Sequence, residues 1–225
     1  MSKNHYIIPI FISHQGCPHQ CVFCNQDKIA GEYKDVSGKD VENIINDYLK
    51  TIPINSIIEV SFFGGTFTAI HENKQKELLD VAKKYKDKGL IKYIRLSTRP
   101  DAINSYILDY LKVYGVDIIE LGVQSLDDDV LEKSGRGHNY KDVEKASSLI
   151  KSYGFVLGHQ IMPGLPGDNF QKDIDTVKKS INMKPDICRI YPALVVKDTP
   201  MEIMYNRGEF KPYRLEEAVK ISSKM

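Results

Sequence analysis

The sequence lacks any run approaching the ~18 uninterrupted apolar residues of a membrane-spanning helix, and its N-terminus lacks the apolar core and small-residue cleavage site of a secretory signal. Neither a membrane protein nor a secreted one is expected, and the reading is cytoplasmic. An excess of charge of either sign is missing too. The 31 Lys and Arg stand against 30 Asp and Glu, for a formal net charge of +1. That balance leaves no overall footprint of nucleic-acid binding and no polybasic or polyacidic tail, although a local basic patch stays open. Arginine is scarce: Arg95, Arg99, Arg136, Arg189, Arg207 and Arg214 are all there are. Each is therefore worth more scrutiny than any one lysine, because the guanidinium binds carboxylates and phosphates through two parallel contacts. Cysteine is scarce as well, with four residues, three of them crowded into 17–24 and Cys188 far downstream. Such clustering argues against a disulfide framework and for metal binding in a reducing compartment.

What is present is a strict alternation of β-rich apolar runs with helical spacing. The 225 residues, 42% hydrophobic, suffice for one well-buried domain. Six strands are predicted, at 5–13, 56–63, 93–98, 118–124, 155–162 and 186–191. Amphipathic stretches lie between them, as in Val41, Ile44, Ile45, Tyr48 and Leu49, or Ile107, Leu108 and Leu111. Repeated strand–helix–strand units predict a parallel sheet with right-handed crossovers. Six units in this length fit a partial (β/α)6 barrel of α/β class rather than a full eightfold one of about 250 residues, with a doubly wound open sheet as the competitor. Residues 1–225 are expected to form that single domain. Because the chain stops inside a helical stretch at 214–225 with no stop signal, truncation at the C-terminus is expected.

In either architecture chemistry belongs at the carboxyl ends of the strands. The first strand runs into GCPHQCVFCNQ, with Cys17, Cys21 and Cys24 separated by three and then two residues. Three thiolates can hold three irons of a cubane and leave the fourth open to an outside ligand. A structural zinc site using His14 or His19 is the bland alternative, but the second, well-separated pair of ligands is missing. Cys188, inside a predicted strand, reads as a small buried apolar residue. The second strand ends in Gly64, Gly65 and Thr66, where absent side chains let backbone groups approach a ligand. The third ends in Ser97, Thr98 and Arg99, the fourth presents Gln124 and is followed by Arg136 between two glycines, and the fifth breaks at a Pro and Gly stretch after Gln160, Ile161 and Met162.

The cysteine spacing, with Phe23 at the aromatic position, resembles the CxxxCxΦC motif of the radical S-adenosylmethionine (radical SAM) superfamily, and the features above follow in that superfamily's order. The resemblance implies a 4Fe-4S cluster on Cys17, Cys21 and Cys24, with the amino and carboxylate groups of SAM on the open iron. Phe23 would then pack near the adenine, although ordinary loop packing also accounts for an aromatic there. It further implies that Gly64 and Gly65 meet the SAM amino group, with Thr66 in place of the usual acidic residue. Ser97 would contact the ribose, Gln124 would face the cofactor and Arg136 would pair with its carboxylate. Gln160, Ile161 and Met162 would lie nearest the nucleoside, with Tyr191 and Leu194 on its far side. Reduction by a donor such as flavodoxin or ferredoxin would generate a 5′-deoxyadenosyl radical that abstracts hydrogen from substrate.

Within the superfamily STRPD, ELGVQSLDD, GRGHN, IMPGLPGD and YPALVVKDTPMEIMYNRGEFKPY are similar to the radical SAM half of the Elongator catalytic subunit and its short bacterial relatives. That implies tRNA wobble-uridine modification. There is no long insertion between Cys17 and Cys21, no acetyltransferase domain is expected within these 225 residues, and Lys83, Lys84, Lys86 and Lys88 read as a solvated helix face. A small or porphyrinogen-like substrate is the alternative within the class, and a non-catalytic zinc or iron–sulfur module the alternative outside it.

Overall fold

The computed structural model describes residues 4–12, 17–25 and 35–225. Strands β1 (His5–Ile12), β2 (Ile57–Gly64), β3 (Tyr93–Thr98), β4 (Ile118–Gln124), β5 (Val156–Ile161) and β6 (Ile187–Ile190) form one sheet in the order of the chain, each parallel to its neighbour. Among the described residues β1 and β6 do not pair. A doubly wound sheet reverses its strand order at a switch point, and this one does not, so the strands curl into an open half-barrel. The predicted strands match to within about a residue at each end; position 13 lies outside the described residues.

The helices outside the sheet are α1 (Gly38–Leu49), α2 (Glu72–Asp87), α3 (Ser105–Val113), α4 (Asp128–Lys133), α5 (Tyr140–Ser152), α6 (Phe170–Asn182), α7 (Pro200–Asn206) and α8 (Leu215–Ser222). Side-chain caps set where most of them begin. Ser37 and Asp40 form a reciprocal box at α1, Asn139 and Asp142 another at α5, and Asp127 accepts from Val130 N at α4. The outward strand residues Ile8, Ile10, Val60, Leu96, Ile119 and Leu121 have no exposed surface and pack with Val41, Ile45, Leu78 and Leu108 of the helices. Each such side chain stabilises the fold by about 1.5–3 kcal/mol, which puts the core between sheet and helices and leaves the inner face free for chemistry.

Two expectations need correction. Cys188 is exposed rather than buried, because β6 is an edge strand with one neighbour and none of its residues is fully covered. Lys86 is more than part of a solvated face: its Nζ reaches both carboxylate oxygens of Asp117 and the Gly115 carbonyl, tying α2 to the loop before β4.

The segment before α8 is held by a buried acid pair. The Tyr213 hydroxyl donates to Asp173 Oδ2 (2.7 Å) on α6, and Asp168 Oδ2 accepts from Gly164 N (3.3 Å). Burial, with Asp173 adding to it, pushes the Asp168 carboxyl up to about 8, and burial raises Asp173 as well. A carboxyl whose folded value lies above its unfolded value binds more protons when folded, so its contribution is complete below about pH 4 and is lost as pH rises through about 8. Asp168→Asn, which mimics the protonated form, is expected to gain stability over the parent at pH 8–9 and to match it near pH 4, as read from urea midpoints at each pH.

Candidate functional site

The inner face of the half-barrel opens on a cavity of about 460 Å3 at the carboxyl ends of the strands. All three clustered cysteines border it, together with Phe23, Gly64, Gly65, Thr66, Ser97, Gln124, Arg136, Gln160 and Tyr191.

The cysteine loop has little regular structure, so its position depends on what grips its backbone. Val22 N donates to Ser134 O (3.1 Å) at the end of α4, and Val22 O accepts from Met201 N (2.9 Å) at the start of α7. Asn25 Nδ2 donates to the carbonyls of Lys197 and Asp198 (3.1 and 3.2 Å). Cys24 N closes a turn onto Cys21 O (3.0 Å). The segment after β6 therefore braces the cysteines from one side and the loop after α4 from the other.

That second loop carries Arg136, whose side chain is almost wholly buried. Its Nη2 donates to Gly122 O (2.6 Å), and its Nη1 lies 3.4 Å from Cys21 Sγ. Burial lowers the guanidinium's pKa and the charge of Arg99 lowers it further, while the Cys21 sulfur pulls it back up. Arg99 is held by both oxygens of Asp101 (2.9 and 3.0 Å) and donates to Arg136 O, so one arginine supports the loop that carries the other. Burial raises the Asp101 carboxyl, but Arg99 outweighs it and the net shift is downward. His19 Nε2 lies 3.6 Å from Asp101 Oδ2, so that ring turns to a carboxylate; His14 lies outside the described residues. Nearby, His138 is pushed down to about 3 by burial and then by Arg136 and Arg99, and stays neutral at physiological pH.

Gln124 ends β4 in a left-handed conformation (φ 66°), and the register with β5 shifts between Gly122 and Gln124. Such a backbone is costly for a residue with a side chain and marks sites where aim matters. Its carbonyl accepts from Met162 N (2.8 Å), while its side-chain Oε1 is buried with no partner. Arg136 Nε and Arg99 Nη1 are likewise buried and unpartnered. All three residues line the cavity, and unsatisfied polar atoms beside it suit a polar occupant.

The description of the radical SAM superfamily matches residues 11–179, and that of its C-terminal domain matches residues 185–225. The chain belongs to the radical SAM superfamily. The tRNA uridine(34) acetyltransferase of Methanocaldococcus infernus is 30% identical over an alignment covering 96% of this chain and 48% of that protein. Human Elongator complex protein 3 is 29% identical over 75% of this chain and 34% of its own length. The solved structure of M. infernus Elp3 lacking residues 1–46 superposes with a TM-score of 0.80 at 27% identity, covering 99% of this chain and 54% of that one. Coproporphyrinogen III oxidase of Escherichia coli shares the fold at a TM-score of 0.67 and 16% identity. The chain spans about half the length of the curated acetyltransferase relatives it matches.

Radical SAM enzymes bind a 4Fe-4S cluster and SAM, and the residues here suit both. Among the described residues no group of three or more His, Cys, Asp and Glu closes around a single ion. Three thiolates bordering one cavity suit a cubane, in which each binds a separate iron. Three residues expected near the nucleoside do not line the cavity, Ile161 among them with its side chain buried. Met162 does not line the cavity; it packs with Phe23 against Val130, Leu165 and Ala193, since β5 has already ended. Leu194 is 74% exposed, because the inward position is taken by Ala193, whose N–H bonds to Pro163 O (2.9 Å). Phe11, Phe63 and Arg189 also line the cavity and were not singled out from the sequence. The legible signal was the inward-facing parity of β1, β2 and β6.

Gly64 sits at φ 101°, and a Cβ there would stand 2.8 Å from Ile12 O, the last residue of β1 before the cysteine loop. Gly64→Ala is expected to lower stability by about 1–3 kcal/mol in urea titration, and to reduce the iron retained after anaerobic reconstitution.

Proposed function

We propose that this chain binds SAM across the cavity beside a 4Fe-4S cluster held by Cys17, Cys21 and Cys24, and that it acts on the wobble uridine of tRNA. The observation that supports the reading most is the convergence, in one cavity, of the three cysteines with Arg136 and Gln124, whose buried atoms lack partners. The chemistry such a cluster supplies with SAM is one-electron cleavage of the cofactor's sulfur–carbon bond to methionine and a 5′-deoxyadenosyl radical.

The chain's own residues bind and orient. Arg136, on the cavity wall, supplies the positive charge for the SAM carboxylate. Gly64, Gly65 and Thr66 line the wall that would receive the amino group, the two glycines keeping side chains out of its way. Gln124 and Ser97 present an amide and a hydroxyl to the sugar and base, and Gln160 Nε2, 3.4 Å from Ser97 Oγ, holds that hydroxyl in place. Phe23, packed on Val130, Leu165 and Ala193, forms an apolar wall for the adenine and limits water on that side. No side chain is assigned as a general base, since the reaction begins with electron transfer.

The tRNA assignment rests on the relatives named for uridine(34) acetylation and Elongator, which are longer proteins. Electrons would come from a donor of the flavodoxin or ferredoxin type. A cytoplasmic setting suits four cysteines of which none forms a disulfide, and no helix among the described residues is long and apolar enough to cross a membrane.

Anaerobic reconstitution with iron and sulfide, then dithionite and SAM, is expected to yield 5′-deoxyadenosine by chromatography, and Cys21→Ala to yield none. A protein carrying about one zinc and no iron after reconstitution would overturn the reading. Arg136→Met is expected to weaken SAM binding in equilibrium dialysis by roughly tenfold or more, about the value of a charge-assisted hydrogen bond, in protein matched to the parent for iron content.

A further inference from the structure

The SAM reading above leaves the β6 side of the cavity without a role. Three of the six arginines line the cavity, and no Asp or Glu among the described residues does. Arg99 is committed to Asp101, and Arg136 to Gly122 and the cysteine side. Arg189 stands on β6 in register with Gln160. Its Nη1 lies 3.2 and 3.5 Å from the two oxygens of Glu120, and 36% of its side chain stays exposed. The guanidinium lies 5.0 Å from the ring centroid of Tyr191 and 5.5 Å from that of Phe63. Phe11, 58% exposed and 6.4 Å from Phe63 between centroids, extends the aromatic surface.

The charge balance of this end decides what it can hold. Glu120 is fully buried and shared by Arg189, by Arg95 (3.6 Å) and by Gln160 Nε2 (3.4 Å). Arg95 also pairs with the buried Glu59 (2.7 Å). Gly158 leaves room for this, since a Cβ there would stand 2.5 Å from Glu120 Cγ. With His5 set aside at the rim, two carboxylates face two guanidiniums. The exposed edge of Arg189 therefore suits an acceptor oxygen and not a counter-ion. The rings beside it need a flat partner. A neutral ring carrying carbonyl oxygens meets both needs, whereas a carboxylate or phosphate meets only the first.

We propose that Arg189, with Phe63, Tyr191 and Phe11 around it, seats the reacting ring, a pyrimidine base swung out of its strand, with the guanidinium donating to a ring carbonyl. Single-stranded bases are taken this way elsewhere, by stacking on aromatic and guanidinium planes with hydrogen bonds to their edges. The inference rests on the tRNA reading above and adds the residue that selects the base. It moves Tyr191 from the adenine side to the substrate side.

The test compares binding of an anticodon stem-loop RNA with uridine at the wobble position and the same RNA lacking only that base, using reconstituted protein with SAM. The parent is expected to prefer the uridine RNA by about tenfold. In Arg189→Met and Arg189→Lys the preference is expected to fall to within about twofold, with the abasic RNA bound as before and SAM retention by dialysis unchanged. Lysine keeps a positive charge facing Glu120 but lacks the planar fork, so it decides the matter if the methionine variant fails to hold SAM. A preference that survives in either SAM-binding variant overturns the proposal. A parent that binds both RNAs equally overturns the base seat while the tRNA reading stands. A parent that binds neither overturns the tRNA reading and this inference with it.

Discussion

The site depends on how a cysteine loop with little structure of its own is held against the barrel. Its central peptide, at Val22, is bonded on both sides, to Ser134 at the end of α4 and to Met201 at the start of α7. Backbone hydrogen bonds to buried or half-buried groups cost free energy if left unmade, so the two anchors act as a pair of constraints on one short segment. Arg136 completes the grip, reaching from the same α4 loop to the Gly122 carbonyl and towards Cys21. The stretch after β6 therefore serves the chemistry without contributing a cysteine. It ends the barrel and then returns across the cysteine loop.

A second constraint comes from stopping at six strands. The helices cover the outer face of the sheet with apolar side chains, but among the described residues the inner face is closed neither by further strands nor by an apolar plug. It carries Glu59, Arg95, Glu120 and Arg189 instead, linked from strand to strand across β2, β3, β4 and β6. Such buried pairs are weak evidence for stability, since desolvation offsets much of their attraction. Their value here is geometric. Glu120 takes two arginines and an amide at once, which limits where each guanidinium can point.

The cavity is accordingly divided. At the cysteine end the partners are backbone groups, a buried arginine and a strained glutamine. At the β6 end they are rings and a guanidinium whose charge is already balanced by buried carboxylates. The first end suits a charged amino-acid moiety and the second a flat neutral ring, and one cavity gives both access to the same reactive space. A radical generated between them would meet few solvent molecules while both are filled.

By itself the sequence determined the parallel α/β alternation, the six strands and the cysteine spacing, because apolar periodicity and short motifs are local properties of the chain. The glycine pair at the end of β2, Gln124 at the end of β4 and the lone Arg136 between two glycines were legible for the same reason. The tertiary structure decided what depends on facing. Strand order separated the half-barrel from a doubly wound sheet, since periodicity is blind to which strands are neighbours. Edge position exposed Cys188, and the turn at Ala193 sent Leu194 outward, neither of which local hydrophobicity contains. Arg189 and Phe63 became cavity residues only when the sheet curled and β2 and β6 came to face one another, since side chains more than a hundred positions apart in the chain meet through the fold alone.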